Sequence, residues 1–226
     1  MEIIMDDPAT EQQFNAILKS IEHYKNGEVS DNLTRRGIKY KFNWGVSIPD
    51  LRVLAAEYKP SHLLALKLWN KQWRETMILA TLLDEPSKVT EQQMDFWTKS
   101  FENIEIAEQS SANLWWKTPM AYVKALEWCR GKKHWVRYTG IHLAGRLALS
   151  DKKSPDEIFE PFFEELVTLS KDRELSTVIA RAVLMMAHRS DALRLLTMKF
   201  IRNLYETGSE IAGQVGAELE SDFTDA

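Results

Sequence analysis

The sequence predicts an all-α protein: a curved, right-handed array of stacked helical hairpins running through residues 1–226 as a single repeat domain. Three observations carry this. Apolar residues recur at one-face helical spacing along nearly the whole chain. Nine Gly and seven Pro are few for 226 residues, and the β-branched alternation of strands is scarce. Helices beginning near Trp73, Glu105, His134 and Leu175 recur roughly every 30–40 residues, each with a partner helix before it. In that interval range each hairpin buries its apolar face only by stacking on its neighbours. The concave side of such an array is its natural binding surface.

The elements follow in order. Helices are expected over 10–25 and 30–41, separated by Asn26-Gly27. After Asn43-Trp44-Gly45, Pro49 suits the first turn of a helix over 48–57, because its missing N–H has no intrahelical partner there. Leu51, Leu54 and Ala55 then share one face. Pro60 opens the helix over 60–70 and Asn70 stops it; the helix over 73–84 turns Met77, Leu79, Ala80, Leu82 and Leu83 inward. Thr90 before Gln93 and Ser154 before Glu157 read as N-caps with partners three residues on, opening helices over 90–101 and 155–169. Between them lie helices over 105–115, 118–130 and 134–149, the last with Gly140 and Gly145 spaced for close helix packing. Helices over 175–189, 192–206 and 209–220 complete the array, and the acidic tail from Glu218 to Ala226 is expected to fray.

Several chemistries are unsupported. Cys129 stands alone, so no internal disulfide forms and a reducing compartment is expected. The N-terminus is acidic with no apolar signal core, and no run approaches the roughly 18 apolar residues of a membrane span, so the cytoplasm is the expected location. His23, His62, His134, His142 and His188 form no His-x-x-x-His pair and flank no Cys pair, so no metal site is expected. Gly140 and Gly145 have phosphate-loop spacing, but Arg146-Leu147 replaces the Lys-Ser/Thr such a loop needs. No Gly-x-Ser-x-Gly elbow is present, and no cofactor is called for.

The charge is unevenly spread. The pI near 5.8 averages over acidic ends and a basic middle. Residues 1–33 hold seven acids against Lys19 and Lys25, and six acids with no bases follow Arg202. Between Trp115 and Leu149, Lys117, Lys124, Arg130, Lys132, Lys133, Arg137 and Arg146 face only Glu127. Residues 173–202 repeat the excess, with Arg173, Arg181, Arg189, Arg194, Lys199 and Arg202 against Glu174 and Asp191. A basic stripe along a repeat array can follow a phosphate backbone, releasing counterions as it binds. The same residues can also form nothing more than a solvated face.

One stretch is more specific. Pro49-x-Leu51-Arg52-x-Leu54-Ala55, followed by Leu68-Trp69, four residues and Arg74-Glu75, resembles the DNA alkylation-repair glycosylases, which are built from HEAT-like helical repeats. The resemblance extends over roughly residues 45–190, through Asn113-Leu114, Lys117-Thr118-Pro119, Ala121, Glu127-Trp128, Val136, Gly140 and Asp151-Lys152-Lys153. It implies binding of duplex DNA in a basic concave groove and hydrolysis of the N-glycosidic bond of N3- or N7-alkylated purines. An alkylated base is already a cation and leaves readily, so the enzyme must mainly stabilise an oxocarbenium-like sugar. A carboxylate and aromatic faces suit that task.

The chain departs from the family where that chemistry sits. Relatives carry Trp-Asp-x-x-Asp before the Asn-Leu pair; here the segment is Ile104-Glu105-Ile106-Ala107-Glu108. Glu108 keeps a carboxylate one methylene further out, and Ile104 has no π face. A misplacement of about 1 Å at a reacting centre can cost on the order of 10²-fold in rate. Relatives carry Val-Lys-Arg-Ala-Gly-Phe where this chain has Val136-Arg137-Tyr138-Thr139-Gly140-Ile141, so Tyr138 takes the expected arginine position. Met185 stands where relatives carry a Trp. Glu108 is the candidate catalytic residue. Lys117, Lys124, Arg137, Arg146, Lys152, Lys153, Arg181 and Arg189 are the candidate phosphate contacts, with Trp115, Trp116 and Tyr138 as candidate groove aromatics. Trp69, Trp97 and Trp128 fall on apolar stripes and are expected in the core. The alternative is a catalytically inactive relative that keeps the scaffold to bind nucleic-acid structure or a protein partner.

Overall fold

The computed structural model describes residues 7–224. Among these, all regular structure is helical: α1 Pro8–His23, α2 Gly27–Arg35, α3 Ile48–Ala56, α4 His62–Lys71, α5 Arg74–Leu83, α6 Glu91–Lys99, α7 Ile104–Asn113, α8 Ala121–Cys129, α9 His134–Ser150, α10 Glu160–Leu169, α11 Ser176–Ala187, α12 Asp191–Glu206 and α13 Glu210–Thr224. Short 3-10 turns at Trp115–Lys117 and Asp156–Phe159 precede α8 and α10. None of these helices is long and apolar enough to cross a membrane. The chain folds as two compact units that divide between Thr118 and Pro119.

Local chemistry sets the helix starts. The side chains of Asp7, Asn26, Ser47, Ser61, Thr90, Asn103 and Ser190 each accept a hydrogen bond from a backbone N–H in the first turn of α1, α2, α3, α4, α6, α7 and α12. Two sequence expectations change here. Thr90 caps α6, but the Gln93 amide donates to Asp84 at 2.6 Å instead of returning to the cap. Ser154 caps nothing; its hydroxyl donates to Asp151 at 2.6 Å, and Pro155 leads into the 3-10 turn.

Helix ends differ as well. α4 runs past Asn70 to Lys71 and stops at Gln72, whose φ of 58° is left-handed and whose amide donates to the Trp69 carbonyl at 2.7 Å. The expected helix over 30–41 instead ends at Arg35. α2 buries none of its residues, so no packing carries it further, and Gly37 turns the chain with a φ of 81°. Residues 36–47 are non-helical and return to α2, where the Asn26 N–H donates to the Trp44 carbonyl at 2.7 Å. Gly45 is required at that crossing: a Cβ there would lie 1.9 Å from the Asn26 carbonyl oxygen.

The first unit is organised around indoles. Trp69 of α4 stacks on Trp97 of α6 at 3.9 Å with planes 3° apart, and Trp115 lies 5.6 Å beyond Trp97. In the second unit α9 packs between α8 and α11. Its glycines make the approach possible, since a Cβ on Gly140 would lie 2.7 Å from the Ala125 carbonyl and one on Gly145 2.8 Å from Ala182 Cα. The acidic tail does not fray where it is described. α13 continues through it and buries Leu219 completely, as it does Ala212 one turn-pair earlier; residues 225–226 lie outside the described residues.

Candidate nucleic-acid interface

In the first unit, the Arg-Glu pair that carries the sequence resemblance is a buried lock. Arg74, 2% exposed, donates through Nε and Nη2 to both oxygens of Glu105 at 2.7 Å. Its Nη1 donates to the Val46 carbonyl at 2.7 Å and to Glu75 at 3.1 Å. Glu75, fully buried, accepts from the N–H groups of Trp44 and Val46. Burial works against the guanidinium charge, but the bonds and charges of Glu105 and Glu75 prevail and raise its pKa. Together these groups tie the starts of α5 and α7 to the 43–46 crossing. A second buried node lies nearby in sequence: Asp84 accepts from His62 and Gln93, while burial pushes its carboxyl upward.

Glu108 stands in the second turn of α7, half-buried; Ile104, also half-buried, begins that helix directly after the Asn103 cap. Lys117 is exposed on the 3-10 turn with its ammonium 5.8 Å from the Trp116 ring. The adjacent indoles divide. Trp116 is half-exposed and donates its N–H to the Ala112 carbonyl at 3.0 Å. Trp115 is fully buried behind Trp97, which corrects its assignment as a groove aromatic: the core is wide enough there to take it.

The second unit sorts the remaining cations. Lys124 is withdrawn from solvent. Its side chain is completely buried on α8, where it pairs with Glu127 at 2.7 Å and lies over the Trp128 ring. Arg189 is withdrawn too. Its side chain is 5% exposed, donates to Asp156 at 2.8 Å, and also engages the carbonyls of Asp151 and Ser154. Arg137 is partly exposed and lies 3.4 Å from Asp172; Arg146 is half-exposed along the same helix. Tyr138 is only 6% exposed, held among the rings of His134, Trp135 and His142, so it offers no open face for stacking. Arg181 is exposed on α11, and half-buried Met185 packs beside Gly145.

The loop after α9 holds the most constructed arrangement. Asp151 accepts from the Ser154 hydroxyl, from the Lys153 and Ser154 N–H groups, and from the Tyr122 hydroxyl at 3.0 Å. The Ser154 hydroxyl first, then the two N–H groups and Tyr122, hold its carboxyl down to about 2. Arg189 grips the same loop through the Asp156 carboxylate and the Asp151 and Ser154 carbonyls. Between these two clamps, Lys152 and Lys153 are exposed. Asp151 and the α9 ring column were not expected as site elements. The Asp-Lys-Lys sequence was the available signal for the first; the His134, Tyr138 and His142 spacing along one face was the signal for the second.

One expected result follows from this loop. Asp151→Asn should cost about 1 kcal/mol at pH 7, after discounting for solvent around a half-buried group. The folded pKa is depressed from 3.8 to about 2, so the stabilisation is complete above the ordinary value and is lost as pH falls toward 2. Urea unfolding of both proteins should therefore give a gap at pH 7 that narrows at pH 3. A constant gap would assign the effect to packing.

Among the described residues, no group of three or more His, Cys, Asp or Glu is placed to hold a metal ion. Burial raises the Cys129 thiol to about 12, leaving it far from thiolate character.

Comparison with known proteins supplies two findings. The fold is similar to a solved member of a new family of proteins related to the HEAT-like repeat DNA glycosylases with affinity for branched DNA structures. The TM-score is 0.72 at 14% sequence identity, covering 84% of this chain and 82% of that one. No curated protein matches this sequence. The model of the DNA alkylation repair enzyme family matches residues 17–177, well over half of the 226 residues. The chain is therefore a member of the DNA alkylation repair enzyme family, with an all-helical fold of the HEAT-like repeat glycosylase type.

Proposed function

We propose that this protein binds duplex DNA through its phosphates and releases alkylated bases only weakly. The observation that carries the binding half is the clamped loop 151–156. Asp151 and Arg189 are consumed in holding the backbone, which leaves Lys153 exposed on a fixed support beside Lys152, also exposed, whose ammonium donates to the Ala148 carbonyl at 3.2 Å. A lysine on an ordered loop loses less freedom on meeting a phosphate than one on a loose segment. Arg137, Arg146 and Arg181 supply further cations in the same unit.

The catalytic half rests on what the side chains can offer. Glu108 is a carboxylate that could stabilise a sugar cation, but Ile104, one turn before it on α7, brings no aromatic face. Tyr138 brings neither the charge of an arginine nor an accessible ring face. Base release from methylated duplex DNA should therefore fall at least 10²-fold below that of an active relative, on the order of the loss expected from a misplaced reacting group. Ile104→Trp with Glu108→Asp should raise it. Tyr138 is best left unchanged in that test, because an arginine there would break the ring column. Release matching the active relative, abolished by Glu108→Gln, would contradict the weak-catalysis half and leave the binding half standing.

A further inference from the structure

The C-terminal helices carry a groove that lies outside the proposed phosphate contacts. α12 and α13 flank an open cleft of about 880 Å³ whose floor includes Met198, Ile201 and Phe223 and whose rim carries Arg194 and Arg202. A smaller hollow of about 310 Å³ shares Arg194 and Phe223 with it and extends to His188 and Asp191. The combined groove follows α12 from Asp191 to Arg202, a length of about 17 Å at the α-helical rise. Met198 of the floor is 52% exposed, and Leu195, 67% exposed, extends the apolar surface of α12 beyond it. Lys199 adds a third exposed cation to the helix.

We propose that this groove binds an acidic amphipathic helix of a partner protein. Three properties select that occupant. The length matches about three helical turns, enough for apolar anchors at i, i+3 or i+4, and i+7. Exposed Leu195 and Met198, with Ile201 and Phe223 beneath, offer apolar contact that a hydrated sugar-phosphate backbone would not reward. Arg194 and Arg202 stand at the rim, one turn-pair apart, where carboxylates on the flanks of a docked helix would meet them. Two carboxylates also line the groove: Asp191, at the start of α12, and Glu220, which accepts a hydrogen bond from the Tyr205 hydroxyl at 2.9 Å. Arg194 is pre-positioned over the Phe223 ring, 5.4 Å from its centroid, so it meets the ligand already oriented.

The test uses the full chain and fluorescence anisotropy. The probe is a labelled synthetic peptide of about four helical turns, with leucines at one-face spacing and glutamates on the flanks. An isomer with lysine for each glutamate and a short duplex oligonucleotide serve as comparison ligands. The acidic peptide should bind at least about tenfold more tightly than the basic one. Arg194→Glu with Arg202→Glu should abolish that preference, and Met198→Asp should weaken the acidic peptide by a similar factor. These positions are on the surface, so the helical circular-dichroism signal should be unchanged. Equal binding of the two peptides would overturn the proposal, as would an acidic-peptide affinity indifferent to charge reversal. Loss of oligonucleotide binding alone in the double variant would overturn it by assigning the arginines to nucleic acid. Concentration-dependent dimers that charge reversal or Met198→Asp dissolves, without peptide binding, would overturn it by making the occupant a second copy.

Discussion

Arg74→Met should destabilise the protein by about 3–5 kcal/mol, the loss typical of leaving buried charge uncompensated. The arginine neutralises two carboxylates at once, Glu75 at 0% and Glu105 at 11% exposure. It also satisfies the Val46 carbonyl, so removal orphans an acceptor as well. Against a total of about 5–15 kcal/mol, a loss of this size leaves a marginal fold. Arg74→Lys should recover only part of it, because one ammonium cannot grip both oxygens of Glu105 and reach Val46. Urea unfolding measures both. In a double-mutant cycle, adding Glu105→Gln to Arg74→Met should cost much less than Glu105→Gln alone, since the counter-charge is already gone. A loss below about 1 kcal/mol for Arg74→Met would mean that the first unit does not depend on this lock.

That lock also marks the limit of what the sequence makes legible. The Arg74-Glu75 pair is readable as a motif, and the stripe Leu51-Leu54-Ala55 places α3 correctly because local periodicity reports burial; α5 is instead buried nearly all round, and Leu82, expected inward, is its half-buried position. The partner Glu105 lies 31 residues away, and no local pattern names it. Charge tallies mislead for a related reason: they count cations without their faces. Lys124 occurs at helical spacing with Ala121, Ala125 and Trp128, all of them buried on α8, and that spacing was the sign of its burial. Arg189 had no such sign, since its partners are loop carbonyls and Asp156, 33 residues back. Trp115 follows the same logic, because only the three-dimensional run Trp69, Trp97, Trp115 reveals a core deep enough to hold it. Ser154 was legible as a capping residue but not as the partner of Asp151, where competition within an Asp-x-x-Ser turn decides. At the C-terminus, composition suggested fraying; the apolar positions Ala212, Val215 and Leu219, spaced three to four apart, were the counter-signal and prevail.

The largest expected effect lies in salt. Arg137, Arg146, Lys152, Lys153 and Arg181 give about five phosphate contacts in the second unit, so log affinity should fall against log salt with a slope of about −4.5. Raising salt from about 50 to 200 mM should then weaken duplex binding roughly 500-fold, with little dependence on sequence. Lys152→Glu with Lys153→Glu should flatten the slope by about two, one for each lysine removed from the backbone. Lys124→Met should leave it unchanged, because a fully buried ammonium paired with Glu127 meets no phosphate. The salt dependence of duplex affinity, measured on the natural protein and the Lys152/Lys153 double variant, is the most direct test of DNA binding through the clamped loop. A steep slope that flattens by about two in the variant is the predicted result; a slope near zero in the natural protein, or one the variant leaves untouched, would contradict it.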